Sequence, residues 1–276
     1  MKKVLGIVIS HRKLGNSELL VKEIMNSVPE TYNRELIRLT DLKIEPCTAC
    51  YRCLQSDQDC PVSDDFNFVI DRIKTADALI IGVPVYILGP HGYYKMLADR
   101  LVGVGNHIKH TQGKPCAIVM PYGTMGWEGY SKAASMIIPR LLQMKIVDCW
   151  QVHSTLPGES MLDSANREYA QRLGQELFDG RNYYPGERDC PFCGSDLVRL
   201  KAGGKVECPI CGAAGILKAD NIPDFSGTDH CRFSQHEVDE HFGLWLKQTK
   251  QRFREEKDRL KEVQKNYRDM DWWIRP

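Results

Sequence analysis

Short runs of apolar, β-branched residues alternate with amphipathic stretches through roughly the first two thirds of the chain. Five of these runs predict strands, at residues 4–10, 35–39, 78–85, 116–122 and 146–153. The stretches that separate and follow them predict helices near residues 17–26, 65–75, 93–104, 129–143 and 164–178. Because alternating strands and helices are typical of a parallel sheet covered on both faces, we predict a doubly wound α/β domain with five parallel strands over residues 1–180.

The pattern changes after Asp179. Residues 180–189 are rich in glycine, proline, tyrosine and charge, which is typical of a linker. We expect a small cysteine-bearing module at residues 186–217, followed by a C-terminal extension at residues 218–276. Apolar residues recur with helical spacing within that extension, so the sequence predicts one long helix over about residues 235–268.

Charge and cysteine usage narrow the functional class. The 37 basic and 36 acidic residues leave a formal net charge of +1, which gives no overall field for attracting nucleic acid or an anionic membrane. The apolar run at residues 4–9 is too short for a signal peptide, and no later run approaches the length of a membrane span. We therefore expect a cytoplasmic protein with neither a membrane nor a nucleic acid as partner. Most of the 11 cysteines form two tight groups, which in a reducing compartment favours metal or cluster ligation over disulfides.

The loop between the first predicted strand and helix reads Ser-His-Arg-Lys-Leu-Gly-Asn-Ser over residues 10–17. Such a loop offers backbone N–H groups and a helix N-terminus to an anion. The candidate phosphate-binding residues are Ser10, Arg12, Gly15, Asn16 and Ser17. The loop has neither the G-x-G-x-x-G fingerprint of dinucleotide sites nor the Gly-Lys-Ser/Thr ending of a P-loop, which disfavours both of those classes. An ordinary capped turn remains the alternative for this loop taken alone.

Two further loops extend this pattern. The third predicted strand ends in Pro-Val-Tyr-Ile-Leu-Gly-Pro at residues 84–90, and the fourth in Pro-Tyr-Gly-Thr-Met-Gly at residues 121–126. With the first loop, they resemble the NADPH-dependent FMN reductase branch of the flavodoxin-like superfamily over about residues 1–178. The resemblance implies that the first loop grips the FMN phosphate and that the other two flank the isoalloxazine ring. The implied ring contacts are Pro84, Val85, Tyr86, Ile87, Leu88, Gly89, Tyr122, Gly123, Thr124 and Gly126.

The chain departs from this family's pattern at two places. Residues 88–91 read Leu-Gly-Pro-His where many relatives have small hydroxyl residues, and the fourth-strand loop lacks their usual Gly-Gly-x-Glu ending. The resemblance therefore leaves the detailed ring contacts open.

The first cysteine group follows the second predicted strand and consists of Cys47, Cys50, Cys53 and Cys60, in a loop at residues 47–60. Three thiolates with C-x2-C-x2-C spacing can reach neighbouring irons of one cubane cluster, and a fourth can close the cage. The group resembles that of the iron-sulfur flavoproteins, in which a compact four-cysteine motif at this place binds a [4Fe-4S] cluster. Zinc, a redox-active thiol pair and a cysteine set without a cluster are the alternatives.

The second cysteine group consists of two Cys-Pro-x-Cys-Gly knuckles, with Cys190 and Cys193 in one and Cys208 and Cys211 in the other. A strand-turn-strand stretch centred on two glycines at 203–204 separates them. Two such knuckles make a closed tetrahedral four-sulfur site. The module resembles a zinc ribbon, and its knuckles also resemble those of rubredoxin, so Zn²⁺ is expected and iron is the alternative. We expect the module to provide structural support or a subunit contact. Docking of a partner and nucleic-acid binding are the alternatives.

The predicted function is that of an FMN-dependent oxidoreductase, or electron-transfer protein, that couples FMN to a [4Fe-4S] cluster. No side chain is assigned as a catalytic acid or base. The expected redox partner is ferredoxin or NAD(P)H, and the resemblance implies a homo-oligomer, either a dimer or a tetramer. Two alternatives remain: an NAD(P)H-dependent FMN or quinone reductase without a cluster, and a non-enzymatic sensor or nucleic-acid-binding protein that uses the ribbon.

Overall fold

Five parallel strands form the centre of the computed structural model, which describes residues 2–29, 31–55, 58–228 and 230–268 together with 270, 272 and 274. The strands are β1 (Lys2–Val8), β2 (Tyr32–Arg38), β3 (Ala78–Gly82), β4 (Pro115–Tyr122) and β5 (Lys145–His153). Their order in the sheet is β2-β1-β3-β4-β5, and every neighbouring pair is parallel. The predicted flavodoxin-like, doubly wound sheet is confirmed.

Helices cover both faces of the sheet, because the right-handed crossovers between parallel strands place them there. One face packs against α1 and α7, and the other against α2 to α6. Alternate residues of β1 serve the two layers: Leu5 and Ile7 point to one core and Val4 and Val8 to the other. The helices are α1 (Asn16–Ser27), α2 (Phe66–Thr75), α3 (Gly92–Asp99), α4 (Ile108–Thr111), α5 (Ser131–Ser135), α6 (Ile137–Leu141) and α7 (Ser164–Gln175).

The third strand and the third helix both end earlier than predicted. The third strand ends at Gly82, and two-residue strands at Val85–Tyr86 and Gly89–Pro90 form a separate hairpin after it. The helix predicted near residues 93–104 ends at Asp99 and continues as a 3-10 segment, Leu101–Asn106.

The helix predicted at residues 129–143 is divided at Met136 into α5 and α6. The physical reason lies at Pro139, which has no N–H to donate to the carbonyl of Ser135. That carbonyl instead accepts a hydrogen bond from the buried hydroxyl of Tyr94. A tertiary contact thereby replaces a helical hydrogen bond at the division.

The second cysteine group lies in a small antiparallel sheet of four short strands. Its strands are β6 (Arg199–Leu200), β7 (Lys205–Glu207), β8 (Ala214–Leu217) and β9 (Pro223–Asp224). The predicted turn at Gly203 and Gly204 is present, with φ angles of 73° and 70° that glycine adopts without strain. The module packs on α5 and α6 through an ion pair between Lys132 and Asp189, 2.7 Å apart, and through a hydrogen bond from Arg140 Nε to Cys193 O.

The C-terminal helix is present, but it is not the continuous α-helix that the sequence predicts. It consists of α8 (Gln235–Val238), a π-helical segment (Asp239–Trp245), α9 (Leu246–Glu255) and α10 (Lys257–Lys265). The wider π-helical turns change the angular spacing of the apolar side chains. Val238 and Phe242 therefore pack against the α/β domain, whereas Trp245 and Phe253 are exposed. Among the described helices, none has both the length and the apolar character that a membrane span requires.

Candidate functional site

The loops that follow β1, β3, β4 and β5 meet at one edge of the sheet and form a cleft of about 240 Å³ that is open to solvent. This edge, at the carboxyl ends of parallel strands, is where open α/β sheets bind ligands. The predicted residues that line the cleft are Ser10, Arg12, Gly15, Asn16, Ser17, Pro84, Val85, Tyr86 and Gly123. The structure adds Pro121, Ser154 and Thr155. Sequence reasoning missed the last two, although their position directly after the fifth predicted strand was a usable signal.

Asn16 joins the first loop to the loop after β5. Its Nδ2 donates to Ser154 O at 3.3 Å and to Leu156 O at 2.9 Å. Its Oδ1 accepts from both the backbone N–H and the hydroxyl of Ser160, at 3.2 Å each. The Asn16 side chain is thus engaged within the protein, while its backbone N–H lies in the first turn of α1, where N–H groups have no partner within the helix.

One buried hydroxyl in the cleft has no partner. Ser154 is 4% exposed, and its Oγ makes no hydrogen bond with any residue that the structure describes. Buried polar atoms are nearly always paired, so an orphaned hydroxyl that lines a cleft is suited to a ligand.

Glu18 and its two cationic partners, which do not enter the cleft, hold the first loop in place. Glu18, in the first turn of α1, accepts from the backbone N–H of Leu14 at 2.6 Å and pairs with Lys22 and Arg38. Burial would raise the pKa of Glu18, but the hydrogen bonds from Lys22, Arg38 and Leu14 lower it from its usual 4.5 to about 2. Arg38, at the end of β2, also donates to Ser10 O at 3.0 Å. The loop is therefore held in shape by groups that do not enter the cleft.

We expect Glu18→Gln to lower the thermal stability most at neutral pH. A depressed carboxyl pKa contributes stability above the unfolded pKa of about 4.5 and loses it as the pH falls towards 2. The Tm difference between wild type and Glu18→Gln should therefore be largest near about pH 7 and shrink below about pH 4. Thermal melts across this range test it, with Glu23→Gln on the same helix as the control; a difference that does not change with pH contradicts the assignment.

The remaining predicted ring contacts lie at the rim of the cleft rather than in its lining. Ile87 and Leu88 form the tip of the 85–90 hairpin with φ angles of 46° and 68°, which is strained for residues that carry a side chain. Ile87 is 84% exposed. Gly89 packs against the Tyr130 ring. On the facing side, Tyr122 is the last residue of β4, and Thr124 and Gly126 belong to the turn that follows it.

His91, next to this hairpin, has a structural role. It caps α3 by accepting from Tyr93 N and contacts the rings of Tyr86 and His11 edge-on or at an angle, with centroids 5.0 and 5.7 Å apart. Burial lowers the pKa of His91, and the neighbouring His11 adds to the effect. The imidazole is therefore held neutral at the foot of the hairpin.

Gly129 allows the loop that follows β4 to approach the 85–90 hairpin closely. A Cβ at this position would lie 2.2 Å from Leu88 O, and Tyr130 N donates to the same carbonyl at 2.8 Å. Gly129 also has a φ of 53°.

We expect Gly129→Ala to weaken FMN binding about tenfold or more, because overpacking and backbone strain each cost about 1 to 3 kcal/mol. Titration of the apoprotein with FMN, followed by flavin fluorescence, measures this. Gly113→Ala is the matched control, since Gly113 has a φ of 75°, meets no atom of the described residues within 4 Å of the added Cβ and does not line the cleft. Equal losses in the two variants would show that strain, and not the contact with Leu88, is the cause.

The first cysteine group lines a second, smaller cavity at the same edge of the sheet, beyond β2. All four thiols, Cys47, Cys50, Cys53 and Cys60, line this cavity with Tyr51, Val62, Arg100 and Val102. Within the motif, Ala49 and Tyr51 have φ angles of 49° and 54°. Left-handed residues help to turn backbone N–H groups towards a bound anion, as in many iron-sulfur sites.

Two asparagine side chains from outside the cysteine loop hold it in place. Asn106 Nδ2 donates to Cys53 O, Gln55 O and Gln58 O at 3.0 to 3.2 Å. Asn67 pairs with the backbone of Cys60 in both directions, through Nδ2 to Cys60 O at 2.8 Å and through Oδ1 from Cys60 N at 3.2 Å. Residues 56 and 57 of the predicted 47–60 loop lie outside the described residues.

The mutual proximity of the thiols affects their acidity. Burial raises the pKa of Cys53, and the charges of Cys60, Cys50 and Cys47 raise it further. The backbone N–H of Arg52 lowers the pKa of Cys50. Four thiols that repel one another's charges in one cavity are suited to a positively charged iron core.

The second cysteine group forms a compact four-sulfur site. The Sγ atoms of Cys190, Cys193, Cys208 and Cys211 all lie within 4.8 Å of one another, and all four residues are buried. The two knuckles have the same backbone geometry: Gly194 N donates to Cys190 O at 2.8 Å and Gly212 N to Cys208 O at 2.9 Å. Their φ angles of 80° and 81° explain why both knuckles end in glycine. The arrangement fits a single tetrahedral metal ion.

Comparison with curated proteins returns two kinds of relative. An iron-sulfur flavoprotein of Methanocaldococcus jannaschii is 36% identical over 119 residues, which is 42% of this chain and 61% of that protein. A flavone synthase of Aspergillus candidus is 31% identical over 186 residues, covering 56% of this chain and 57% of that protein. The chain thus spans about half to three fifths of the length of the curated relatives it matches.

Among solved structures, a flavone reductase matches 99% of this chain and 99% of its own with a TM-score of 0.78 at 20% identity, a likeness of fold over the whole chain. The sequence profile described as NADPH-dependent FMN reductase matches residues 2–155, which hold the cleft, its rim and the first cysteine group. On the evidence of that match, which covers more than half of its length, the chain belongs to the NADPH-dependent FMN reductase family.

Proposed function

We propose that the protein is an FMN-dependent oxidoreductase in which FMN exchanges electrons with a [4Fe-4S] cluster held by Cys47, Cys50, Cys53 and Cys60. The observation that carries this proposal is that all four cysteines line one cavity, at the same sheet edge as the cleft. Several relatives are named iron-sulfur flavoproteins, which supports the same assignment.

The cleft has two parts, one suited to the phosphate of FMN and the other to its planar ring. The N-terminal N–H groups of α1, with Ser10, Arg12 and Ser17, form a cationic, donor-rich pocket for a phosphate. The Pro84–Tyr86 segment and Gly123 line the remainder, where a planar ring can lie against backbone and apolar groups. Ser154 Oγ would supply a further polar contact to the cofactor.

FMN can pass a hydride or single electrons, whereas a cubane cluster passes one electron at a time, so the pair would convert between two modes of transfer. The protein's own residues position and screen the two centres. Arg38 links them mechanically, because it ends β2, ahead of the cysteine loop, and binds the carbonyls of Ser10 and Arg12 in the phosphate loop. Ferredoxin or NAD(P)H would be the electron donor, and the exposed Cys47 and Cys50 favour a reducing compartment such as the cytoplasm.

The second cysteine group would hold Zn²⁺ as a structural ion, with iron as the alternative. Its four buried thiols close the coordination sphere, and structural zinc sites are closed in this way. The contacts of the module with α5 and α6 favour structural support over nucleic-acid binding.

A homo-oligomer, dimer or tetramer, is part of this proposal. It is supported by large apolar side chains that are exposed along the C-terminal helix: Leu244, Trp245, Phe253, Leu260, Val263 and Tyr267. Light scattering of the purified protein measures its mass directly.

The decisive experiment is anaerobic purification followed by assays of iron, acid-labile sulfide, FMN and zinc. We expect iron and sulfide in the ratio of one cubane, one FMN and one zinc per chain, with absorbance near about 400 nm beyond that of flavin. Reduced ferredoxin should bleach both centres faster than NADPH does. Protein that binds FMN but contains neither iron nor sulfide refutes the proposal.

A second candidate is an NAD(P)H-dependent reductase without a cluster, acting on a planar organic acceptor such as a quinone or a flavone. The apolar rim of the cleft favours it, since Tyr86, Ile87, Met125 and Trp127 are exposed beside the site. The names of the flavone synthase relative and of the flavone reductase with the same fold point to such a substrate. Fast bleaching of the flavin by NADPH, with no iron in the protein, would select this function.

A further inference from the structure

Arg100 is the one charged side chain that lines the cysteine cavity, among the residues that the structure describes. It follows α3, 40 positions from Cys60, and is only 3% exposed. Its Nη2 donates to Cys60 Sγ at 3.0 Å, within hydrogen-bonding distance of a sulfur. A buried guanidinium is costly unless it is paired, so this contact calls for an explanation.

Asp64 fixes the guanidinium in this position. Arg100 Nη1 and Nη2 donate to the two carboxylate oxygens of Asp64 at 2.6 and 3.2 Å, the bidentate geometry that specifies orientation as well as strength. Nη1 also donates to Glu45 O at 2.8 Å, and the guanidinium carbon lies 4.4 Å from the centre of the Phe66 ring. The plane of the guanidinium is thus held on several sides.

The hydrogen-bonding capacity of Arg100 is not exhausted by these contacts. Its Nε is buried and has no partner among the described residues. The group that lines the thiol cavity therefore carries one donor already on a ligand sulfur and another with no acceptor. An iron-sulfur core in the cavity would explain why one N–H group of Arg100 lies on a ligand sulfur and would supply an acceptor for the other.

We propose that Arg100, oriented by Asp64, is a positioning residue that raises the reduction potential of the cluster. This inference rests on the proposed function. When a one-electron carrier of the ferredoxin class delivers an electron, negative charge is added to the thiolate cage, and the same electron later leaves towards FMN. A cation and an N–H donor at Cys60 stabilise the reduced form more than the oxidised form, because hydrogen bonds to sulfur and local charge set cluster potentials.

Asp64 offsets part of this charge but does not cancel it. Its two carboxylate oxygens accept N–H groups of the guanidinium and also accept from the backbone N–H of Glu45 at 2.7 Å and of Phe66 at 3.1 Å. Cys60 thus contacts the positive member of the ion pair. A pair that served stability alone would not require either Nη to reach a cluster ligand.

The test compares the holoprotein with Arg100→Gln/Asp64→Asn, which keeps the net charge and a hydrogen-bonded pair but removes the cation at Cys60. An EPR-monitored redox titration measures the midpoint potential of the cluster, and an optical titration measures that of FMN. Lys132→Gln/Asp189→Asn removes an equivalent ion pair beside the ribbon and serves as the matched control. Arg100→Lys, which keeps the charge, provides the comparison if the neutral pair does not fold.

We expect the cluster potential to shift to lower values in Arg100→Gln/Asp64→Asn, less in Arg100→Lys, and not in the control, with the FMN potential unchanged in all three. An unchanged cluster potential in both Arg100 variants, each with full iron and sulfide, overturns the inference and leaves the proposed function standing. Absence of iron and sulfide from the wild-type protein refutes the proposed function itself, so the two failures are distinguishable.

Discussion

Gly103→Ala is expected to remove most of the iron and sulfide from the protein while FMN stays bound. A Cβ on Gly103 would lie 2.8 Å from Cys53 Cβ, 2.9 Å from Cys53 O and 3.2 Å from Cys53 Sγ. Because two of these atoms are fixed to the backbone, the methyl group can only be accommodated if the cysteine loop moves. Overpacking costs about 1 to 3 kcal/mol, and one or two kcal/mol shifts a conformational equilibrium roughly 5- to 30-fold.

Gly105→Ala is the matched control for this prediction. Gly105 belongs to the same 3-10 segment, and an added Cβ there meets no atom of the described residues within 4 Å. We therefore expect it to retain iron and sulfide at the wild-type level. Iron, sulfide and FMN contents of the two anaerobically purified variants decide the matter. Equal cluster contents would mean that the 101–106 segment does not brace the cysteine loop.

Cys208→Ser is expected to unfold the ribbon and to lower the melting temperature of the protein markedly. The module has only a small core of its own, built around the four buried cysteines with Val206, Ala213 and Phe225. Folding free energies supplied by structural zinc in small modules are on the order of 10 kcal/mol. Loss of one of four ligands should therefore expose residues 190–224 to proteolysis and release the metal.

The flavin site should largely survive this change, because the cleft is formed by loops of the five-stranded sheet. Limited proteolysis, a metal assay and FMN content measure the three outcomes. Cys231→Ser is the control: Cys231 packs beside the ribbon core but is not one of the four thiols that lie within 4.8 Å of one another. It should keep one metal ion per chain; a loss equal to that of Cys208→Ser would make Cys231 a ligand and contradict the assigned set.

The sequence was most informative where the chemistry is local. The phosphate loop, the C-x2-C-x2-C spacing and the paired knuckles each lie within a short stretch, so that spacing alone constrains their geometry. The parallel sheet was also predictable, because buried strands that alternate with amphipathic helices can close a core in few ways. Both kinds of prediction rest on contacts between neighbours in sequence or on the periodicity of one element.

Contacts between residues far apart in the chain could not be predicted from local spacing or periodicity. Nothing in the residue pattern indicated that Arg100 would reach Cys60, that Gly103 would press on Cys53, or that Asn106 would close the cysteine loop. Nor did it indicate that the Asn16 side chain would join the first loop to the loop after β5. Such roles depend on which segments the sheet order brings together.

The C-terminal helix also combines a feature that the local pattern predicted with features that it did not. Its apolar period correctly predicted helical structure, but not the π-helical turns at Asp239–Trp245 or the break at Glu256. Sequence by itself determined the class of fold, the cofactor-type loops and the two sets of thiols, because these are written in local spacing. Only the tertiary structure decided which residues support those sites, since that depends on packing between elements far apart in the chain.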